Sequence, residues 1–366
     1  MGKNSNGKGQ VLRDDTGWEA LAKYVKEKSP SKIFIITDEN TNKLCLSIFL
    51  EKKKFEFSSE SITIPVGEIY KNIGTCFNVW ETLSEKGADQ KSLIINLGGG
   101  VVTDLGGFVA STFKRGIPFI NIPTSLLAMV DASVGGKNGI DLGHIKNQIG
   151  VINLPELVVL DTAFLTTLPH EHVTSGLAEM LKHGLIHSHT YWERIKNVDF
   201  SDKVEFEKLI WDSVEIKKEI VAKDPFENNL RKTLNYGHTL GHAIESYFLE
   251  NDHKPTLLHG EAVAIGMILA THISAEIVGF PQRTLNDVTE TILNHFPKQT
   301  FSKNDIDTVI KLLVFDKKNR NGKVLFVLLE DIGHYKTDSE VDNSFIYKAF
   351  EYYKNAFEFI ASDYPY

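Results

Sequence analysis

The sequence predicts an α/β first part built on a parallel sheet, followed by a helical second part. Two observations carry this. In the first half, five short runs are near-continuously apolar, as strands covered on both faces must be, and amphipathic stretches separate them. From about Glu171 onward, apolar residues recur every three to four positions over long stretches, the period of a helix. A chain of 366 residues has room for about two domains.

The apolar runs are Ile33–Thr37, Ile62–Val66, Leu93–Leu97, Phe119–Ile122 and Leu157–Leu160. Amphipathic stretches such as Trp18–Lys28 and Ile69–Lys86 alternate with them, the pattern of an open α/β domain. The helical stretches of the second part are Gly176–His187, Phe206–Ala222, Leu230–Phe248 and Glu261–Val278. A strand pair is expected late, at Lys323–Leu329, after a turn at Asn321-Gly322. The boundary is placed near Leu168-Pro169, giving domains 1–168 and 169–366. No internal repeat and no low-complexity segment interrupts them.

Composition narrows the function classes. Hydrophobic residues are 42% and charged residues 24%, an ordinary globular balance. Lys+Arg 40 against Asp+Glu 48 gives a net charge of −8, unsuited to wrapping nucleic acid but compatible with a local basic pocket for an anionic metabolite. The cysteines are Cys45 and Cys76, not a Cys-x-x-Cys pair, which argues against a disulfide framework and against a thiolate zinc site. No apolar run is expected to reach the roughly 18 residues of a membrane helix. The start, MGKNSNGKG, is polar and does not read as a secretory signal, so the expected setting is the cytoplasm.

Several motifs carry chemistry. Gly98-Gly99-Gly100-Val101-Val102-Thr103-Asp104 follows a strand and opens a helical pattern. Glycines let the backbone approach a phosphate, and a helix N-terminus offers N–H groups and a positive dipole end. A tight strand-to-helix turn without a ligand would use the same glycines; the strand–glycine–helix context favours a nucleotide diphosphate site. Asp131-Ala-Ser-Val-Gly-Gly-Lys137, followed by Lys146-Asn147, lies after the strand ending at Ile122, where open α/β sheets bind ligands. Singly, each of these lysines reads as solvated; together they can hold an anion.

Arg231, Asn235, His238 and His242 are spaced 4, 3 and 4 apart, so a single helix would put all four on one face, beside Gly237 and Gly241. Such a polar stripe, flanked by apolar Leu234, Leu240, Ala243 and Ile244, requires partners. His259 opens another helical run, and Glu179 and Lys182 lie three apart, a spacing also met in ordinary intrahelical ion pairs. Glu179, His238 and His259 would form a three-donor N/O site for a catalytic divalent metal with an open position. Spacing does not choose among His183, His187, His189, His238, His242 and His259, and a His238/His242 pair could supply two ligands. The metalloprotease general base is absent, because Thr239 follows His238.

The runs GGGVVTDLGGFVASTFKRGIPFINIPTSLLAMVDASVGGK, SGLAEMLKHGLI, LRKTLNYGHTLGHAIE and HGEAVAIGM, with Lys146-Asn147 between the first two, resemble the 3-dehydroquinate synthase family of sugar-phosphate cyclases, from about Asp38 to Gly333. The resemblance implies an N-terminal NAD-binding α/β domain with a parallel sheet, an all-α C-terminal metal-binding domain, an active site in the cleft between them, and a homodimer. It implies zinc or cobalt on Glu179, His238 and His259, with His242 facing substrate. It implies NAD contacts at Asp38, Asn40, Glu68, Lys71, Gly99, Gly100, Val101, Asp104, Thr124, Ser125, Leu127, Asp131, Lys137, Lys146, Thr167 and Leu168. For substrate it implies Asp131, Lys137, Lys146, Asn147, Lys182, Lys217, Arg231, Asn235 and His242, with Arg115 lent across the dimer and one of Lys317/Lys318 added. Thr103, Ser125, Ala132, Asn138 and the segment Leu142-Gly143-His144-Ile145 depart from the usual family pattern.

The implied reaction turns 3-deoxy-D-arabino-heptulosonate 7-phosphate into 3-dehydroquinate and phosphate: transient oxidation by NAD, phosphate elimination, reduction and intramolecular closure. A substrate with a carboxylate and a phosphate needs several cations, which Lys137, Lys182, Lys217, Arg231 and Arg115 supply in a net acidic chain. The alternatives are a cyclase acting on sedoheptulose 7-phosphate, a metal-dependent polyol dehydrogenase, and an inactive scaffold. No nucleic-acid or membrane partner is expected.

Overall fold

A computed structural model describes residues 7–143, 145–313 and 323–363, with side chains described through Ala356. His144, Lys317, Lys318 and the Asn321-Gly322 turn lie outside the described residues. The chain divides into two compact units, Met1–Gly176 and Leu177–Tyr366.

Unit 1 holds a six-stranded, all-parallel sheet in the order β1-β8-β5-β4-β2-β3. Its strands are β1 (Gln10–Arg13), β2 (Ile33–Asp38), β3 (Ser59–Ile64), β4 (Leu93–Gly98), β5 (Phe119–Pro123) and β8 (Leu157–Leu160). The four inner strands β2, β4, β5 and β8 are buried almost throughout, which explains their unbroken apolar sequences. The outer strand β1, QVLR, buries one residue and carries no apolar run to announce it. Helices α1 (Asp14–Lys28), α2 (Glu39–Lys52), α3 (Ile73–Glu85) and α4 (Gly100–Thr112) connect the strands.

Strand order sets the binding geometry of this sheet. From β2 the chain steps outward to β3, then returns to the other side of β2 for β4 and continues to β5. The adjacent carboxyl ends of β2 and β4 therefore flank a topological switch point, where open α/β sheets bind ligands. Asp38 stands at one end and Gly98-Gly99-Gly100 at the other. Beyond β5, a π-helical turn at Ala128–Ala132 precedes an antiparallel hairpin, β6 (Lys137–Leu142) with β7 (Ile145–Ile152). The sequence marked Asp131–Lys137 and Lys146-Asn147 as a glycine-rich anion site and gave no sign of strands. Regular pairing is hidden there because Gly139 and Gly150 face each other and interrupt any apolar alternation.

Unit 2 is helical: α5 (His170–His187, which begins in unit 1), α6 (His189–Ile195), α7 (Lys203–Lys223), α8 (His238–Glu250), α9 (His259–Val278), α10 (Gln282–His295), α11 (Lys303–Leu312) and α12 (Asn343–Asp363). The late strand pair is present as β9 (Leu325–Asp331) with β10 (His334–Glu340), turning at Ile332-Gly333. Helix α9 is the core element, packed by α8, α10, α12 and β9. At 20 residues it is long and apolar enough to cross a membrane by length and composition, which corrects the expectation that no run would be. Its apolarity reflects burial on all sides, the other origin of an all-round hydrophobic helix.

One expected helix is broken in two. Leu230–Phe248 does not run as a single helix: Leu230–Asn235 is a 3-10 segment, and α8 starts afresh at His238. Between them Gly237 adopts φ +76°, and a Cβ there would lie 2.6 Å from Met267 Cγ. A Cβ on Gly266 would lie only 2.0 Å from the Gly237 carbonyl oxygen. These glycines let the first turn of α8 press onto α9.

Candidate active site

In unit 2, three elements deliver side chains to one place. Helix α5 supplies Glu179 and Lys182, α8 begins at His238, and α9 begins at His259. Glu179 Oε1 lies 3.3 Å from His238 Nε2 and 3.6 Å from His259 Nε2. Four protein or water donors around a zinc ion at about 2.0–2.1 Å stand roughly 3.3–3.4 Å apart along the tetrahedral edges. The observed spacing fits that geometry. Glu179 is fully buried, and its Oε1 accepts no hydrogen bond, whereas Oε2 accepts from the buried Lys182 ammonium. A buried carboxylate oxygen aimed at two imidazole nitrogens is the donor set a divalent cation satisfies.

The remaining nitrogens are already engaged. His238 Nδ1 lies 3.1 Å from the Tyr236 carbonyl oxygen, and His259 Nδ1 lies 3.1 Å from Glu245 Oε2. Both rings are thereby turned with Nε2 toward Glu179. Burial holds His238 below the usual imidazole range, against the pull of Glu179. For His259, burial opposes protonation, but Glu245 and Glu179 outweigh it and push the ring up to about 10. Burial also opposes ionisation of Glu179, yet Lys182 and His238 hold it well below the usual carboxylate range.

His242 stands one helical turn beyond His238, with ring centroids 5.1 Å from His238 and 5.8 Å from His259. Its nitrogen lies within 4.8 Å of those of His238 and His259, making it the fourth member of the cluster. His183, whose Nδ1 is bonded to Ser213 Oγ at 2.7 Å, also brings a ring nitrogen within 4.8 Å of a Glu179 oxygen, whereas His189 Nε2 faces Asp331 at 3.4 Å. The Arg–Asn–His–His stripe is thus split: Arg231 and Asn235 reach their places from the 3-10 segment. Arg231 is buried, with Nη1 donating to the Pro225 carbonyl at 2.7 Å and its backbone N–H donating to Asp224. Lys217 is buried on α7.

In unit 1, Gly99 is the N-cap of α4 and makes no side-chain cap, leaving the helix N-terminus open for an anion. A Cβ on Gly99 would come within 3.3 Å of Ser125 Oγ, so backbone and hydroxyl already share that space. Ser125 Oγ also accepts from the Ala128 N–H. This places Thr124, Ser125, Leu127 and Asp131 along the end of β5 and the π-helical turn. Asp38 caps α2, accepting from the Thr41 N–H at 2.7 Å, with Asn40 exposed in the first turn. Val101 sits in the first turn of α4, Lys137 opens β6, and Thr167 and Leu168 close a 3-10 turn. Arg115 is exposed at the end of the 3-10 turn that follows α4, with left-handed backbone, φ +68°.

A second cluster forms in this unit. Lys71 Nζ donates to Asp104 at 2.7 Å and to Asn147 Oδ1 at 2.8 Å, while Lys146 Nζ donates to Glu68 at 2.9 Å. Asp141 accepts from the Asn147 N–H at 2.7 Å and stands 3.8 Å from Lys146. Burial works against the Lys71 charge, but Asp104, Glu68 and Asp141 together hold it charged. Residues expected to serve two different ligands thus lie in one network.

Family profiles described as 3-dehydroquinate synthase N-terminal and C-terminal match residues 61–175 and 176–319. The chain belongs to the 3-dehydroquinate synthase family. A 3-dehydroquinate synthase from Parabacteroides distasonis is 38% identical over 340 residues, covering 92% of this chain and 95% of that protein. One from Sulfurovum sp. is 41% identical over 288 residues, covering 78% and 81%. Among solved structures, a 2-epi-5-epi-valiolone synthase from Streptomyces hygroscopicus with NAD+ and Zn2+ bound matches at TM-score 0.82 and 25% identity, covering 97% of this chain and 99% of that one.

Four carboxylates escaped sequence reasoning: Glu245 beside His259, Glu227 beside Asn235, Asp224 under the 3-10 segment, and Asp141 in the hairpin. Glu245 had a usable signal, since His238, His242 and Glu245 fall at i, i+4 and i+7 of one helix. Glu227, with φ +60°, and Asp224 lie in irregular chain where spacing predicts nothing.

Proposed function

We propose that this chain is an NAD- and divalent-metal-dependent lyase that converts 3-deoxy-D-arabino-heptulosonate 7-phosphate to 3-dehydroquinate and phosphate. Family membership over most of the chain supports the reaction class. The observation that carries the chemistry is the convergence of Glu179 Oε1 with Nε2 of His238 and His259, a donor set suited to zinc or cobalt.

Glu179, His238 and His259 would hold the ion, and Asp38, Gly99, Gly100, Asp104 and Ser125 belong to the surface that would hold NAD. Bound, NAD supplies a hydride acceptor restored in each turnover, and the ion supplies Lewis-acid polarisation of substrate oxygens. The chain's own residues do the rest. Lys182, Lys217 and Arg231 bring positive charge to the unit 2 site for a doubly anionic substrate; arginine suits a carboxylate or phosphate because its fork is bidentate. His242, whose nitrogen lies within 4.8 Å of those of His238 and His259, is placed to exchange a proton with a substrate hydroxyl. Asn235, fixed by Glu227 Oε1 at 2.6 Å, orients a hydroxyl. These are positioning and electrostatic effects, realised without a separate protein base for the step in which phosphate leaves.

The similarity to a 2-epi-5-epi-valiolone synthase structure keeps a second reading in view, another sugar-phosphate cyclase, of the sedoheptulose 7-phosphate type. One experiment separates the readings: phosphate release from the heptulosonate phosphate and from sedoheptulose 7-phosphate, with catalytic NAD, with and without a chelator. The proposal expects chelator-sensitive release from the first and no net NADH. Stoichiometric NADH would identify a dehydrogenase instead, and preference for sedoheptulose 7-phosphate would identify the other cyclase.

A further inference from the structure

We infer that Glu245 is a positioning residue for the metal centre, acting through His259. This rests on the ligand set proposed above. Helix α8 presents His238, His242 and Glu245 on one face, so the helix that carries one candidate ligand also carries the orienting group of another. Glu245 is 7% exposed, and its Oε2 stands 3.1 Å from His259 Nδ1. With the Nδ1 proton donated to this carboxylate, Nε2, the atom 3.6 Å from Glu179 Oε1, is the nitrogen left to bind an ion once the ion displaces its proton.

The two imidazoles are oriented by different means. His238 has a main-chain carbonyl, that of Tyr236, behind its Nδ1. Its orientation is part of the backbone and survives most substitutions. His259 is the first residue of α9 and 25% exposed at its side chain, so its ring has more freedom to turn away. A carboxylate behind it restricts that rotation and raises the basicity of the metal-facing nitrogen, as carboxylate–histidine–metal triads do. The α8–α9 contact at Gly237 and Gly266 joins the two helices that carry acceptor and ring.

The test is metal affinity of the full chain. Glu245→Gln keeps shape and an acceptor oxygen but removes the charge; Glu245→Ala removes both. Zinc affinity of the stripped protein is measured by competition with a chromophoric chelator, and the visible spectrum is recorded with cobalt bound. Circular dichroism of the stripped protein reports folding. The expected result is zinc affinity weaker by about 10- to 100-fold in Glu245→Ala, a smaller loss in Glu245→Gln, and an altered cobalt spectrum, all with a native fold. Wild-type affinity and spectrum in both variants, while His259→Ala loses the metal, would overturn the inference and leave the ligand set standing. Metal retained in full by His259→Ala would overturn the ligand set and the inference together.

Discussion

The two units each bury a cluster of charged and polar side chains, and the clusters are resolved in opposite ways. In unit 1 opposite signs meet: Lys71 lies between Asp104 and Glu68, and Lys146 between Glu68 and Asp141. Each charge has a partner within the protein, so the cost of removing it from water is offset internally. In unit 2, Glu179 Oε1 and two imidazole nitrogens point at each other. Lys182 compensates the far oxygen, but the near one and the two nitrogens are all electron donors. Only a proton or a cation reconciles them. A buried charge network that closes on itself reads as a scaffold for a surface; one whose donors converge reads as a socket.

This contrast can be broken by mutation. The largest effect is expected from His259→Ala, which removes one donor from the socket. Bound metal, measured by elemental analysis after gel filtration, should fall well below one per chain, and turnover should fall by about 1000-fold, since Lewis-acid polarisation supplies several kcal/mol. Next comes the closed network. Lys71→Met strands Asp104 and should destabilise unit 1 by about 3–5 kcal/mol in denaturant unfolding. The double variant Lys71→Met/Asp104→Leu should recover part of that loss, because the most closely paired carboxylate leaves with its lysine while Lys146 still faces Glu68 and Asp141. Equal damage in the single and double variants would show that the network does not balance itself.

Arg231→Ala tests a cation meant for substrate. It should lower kcat/KM for the heptulosonate phosphate by about 10- to 100-fold, the loss of a charge-assisted hydrogen bond, with NAD affinity by fluorescence titration unchanged. An equal fall in both would assign Arg231 a structural role. The smallest effect belongs to Asp305, a charge with no part in either cluster. Burial opposes its ionisation, but Lys254, Ser302 and Tyr247 hold its pKa at about 2. A folded value below the unfolded one, about 3.9, means its contribution is complete above about pH 4 and is lost as pH falls toward about 2. In denaturant unfolding Asp305→Asn should therefore be less stable than wild type by about 1 kcal/mol at neutral pH, the scale of a helix cap, with the two converging in acid.

Much of the fold was legible because buried parallel strands must be apolar throughout. Leu93–Gly98 and Phe119–Pro123 are buried residue for residue, and the sequence says so. The strand β1 and the hairpin β6–β7 were not legible, because β1 buries one residue and the buried positions of β6, Asn138, Gly139, Ile140 and Asp141, are mostly polar or glycine and leave no apolar run. In the candidate site, His238 and His242 were visible as a helical pair. Their separation from Arg231 and Asn235 was not, because Gly237 breaks the helix for a reason that lies on another element, at Met267.

The sequence by itself determined the class of the two units, the glycine opening of α4 and the inventory of donors and cations. Those are local properties, set by burial period and side-chain chemistry. Tertiary structure decided that the Nε2 atoms of His238 and His259 stand 3.3 and 3.6 Å from Glu179 Oε1, which carboxylate stands behind His259, and that residues expected for two ligands share one ion-pair network. These depend on distances between segments tens of residues apart in the chain, and such distances are fixed by packing of whole elements, which no single segment encodes.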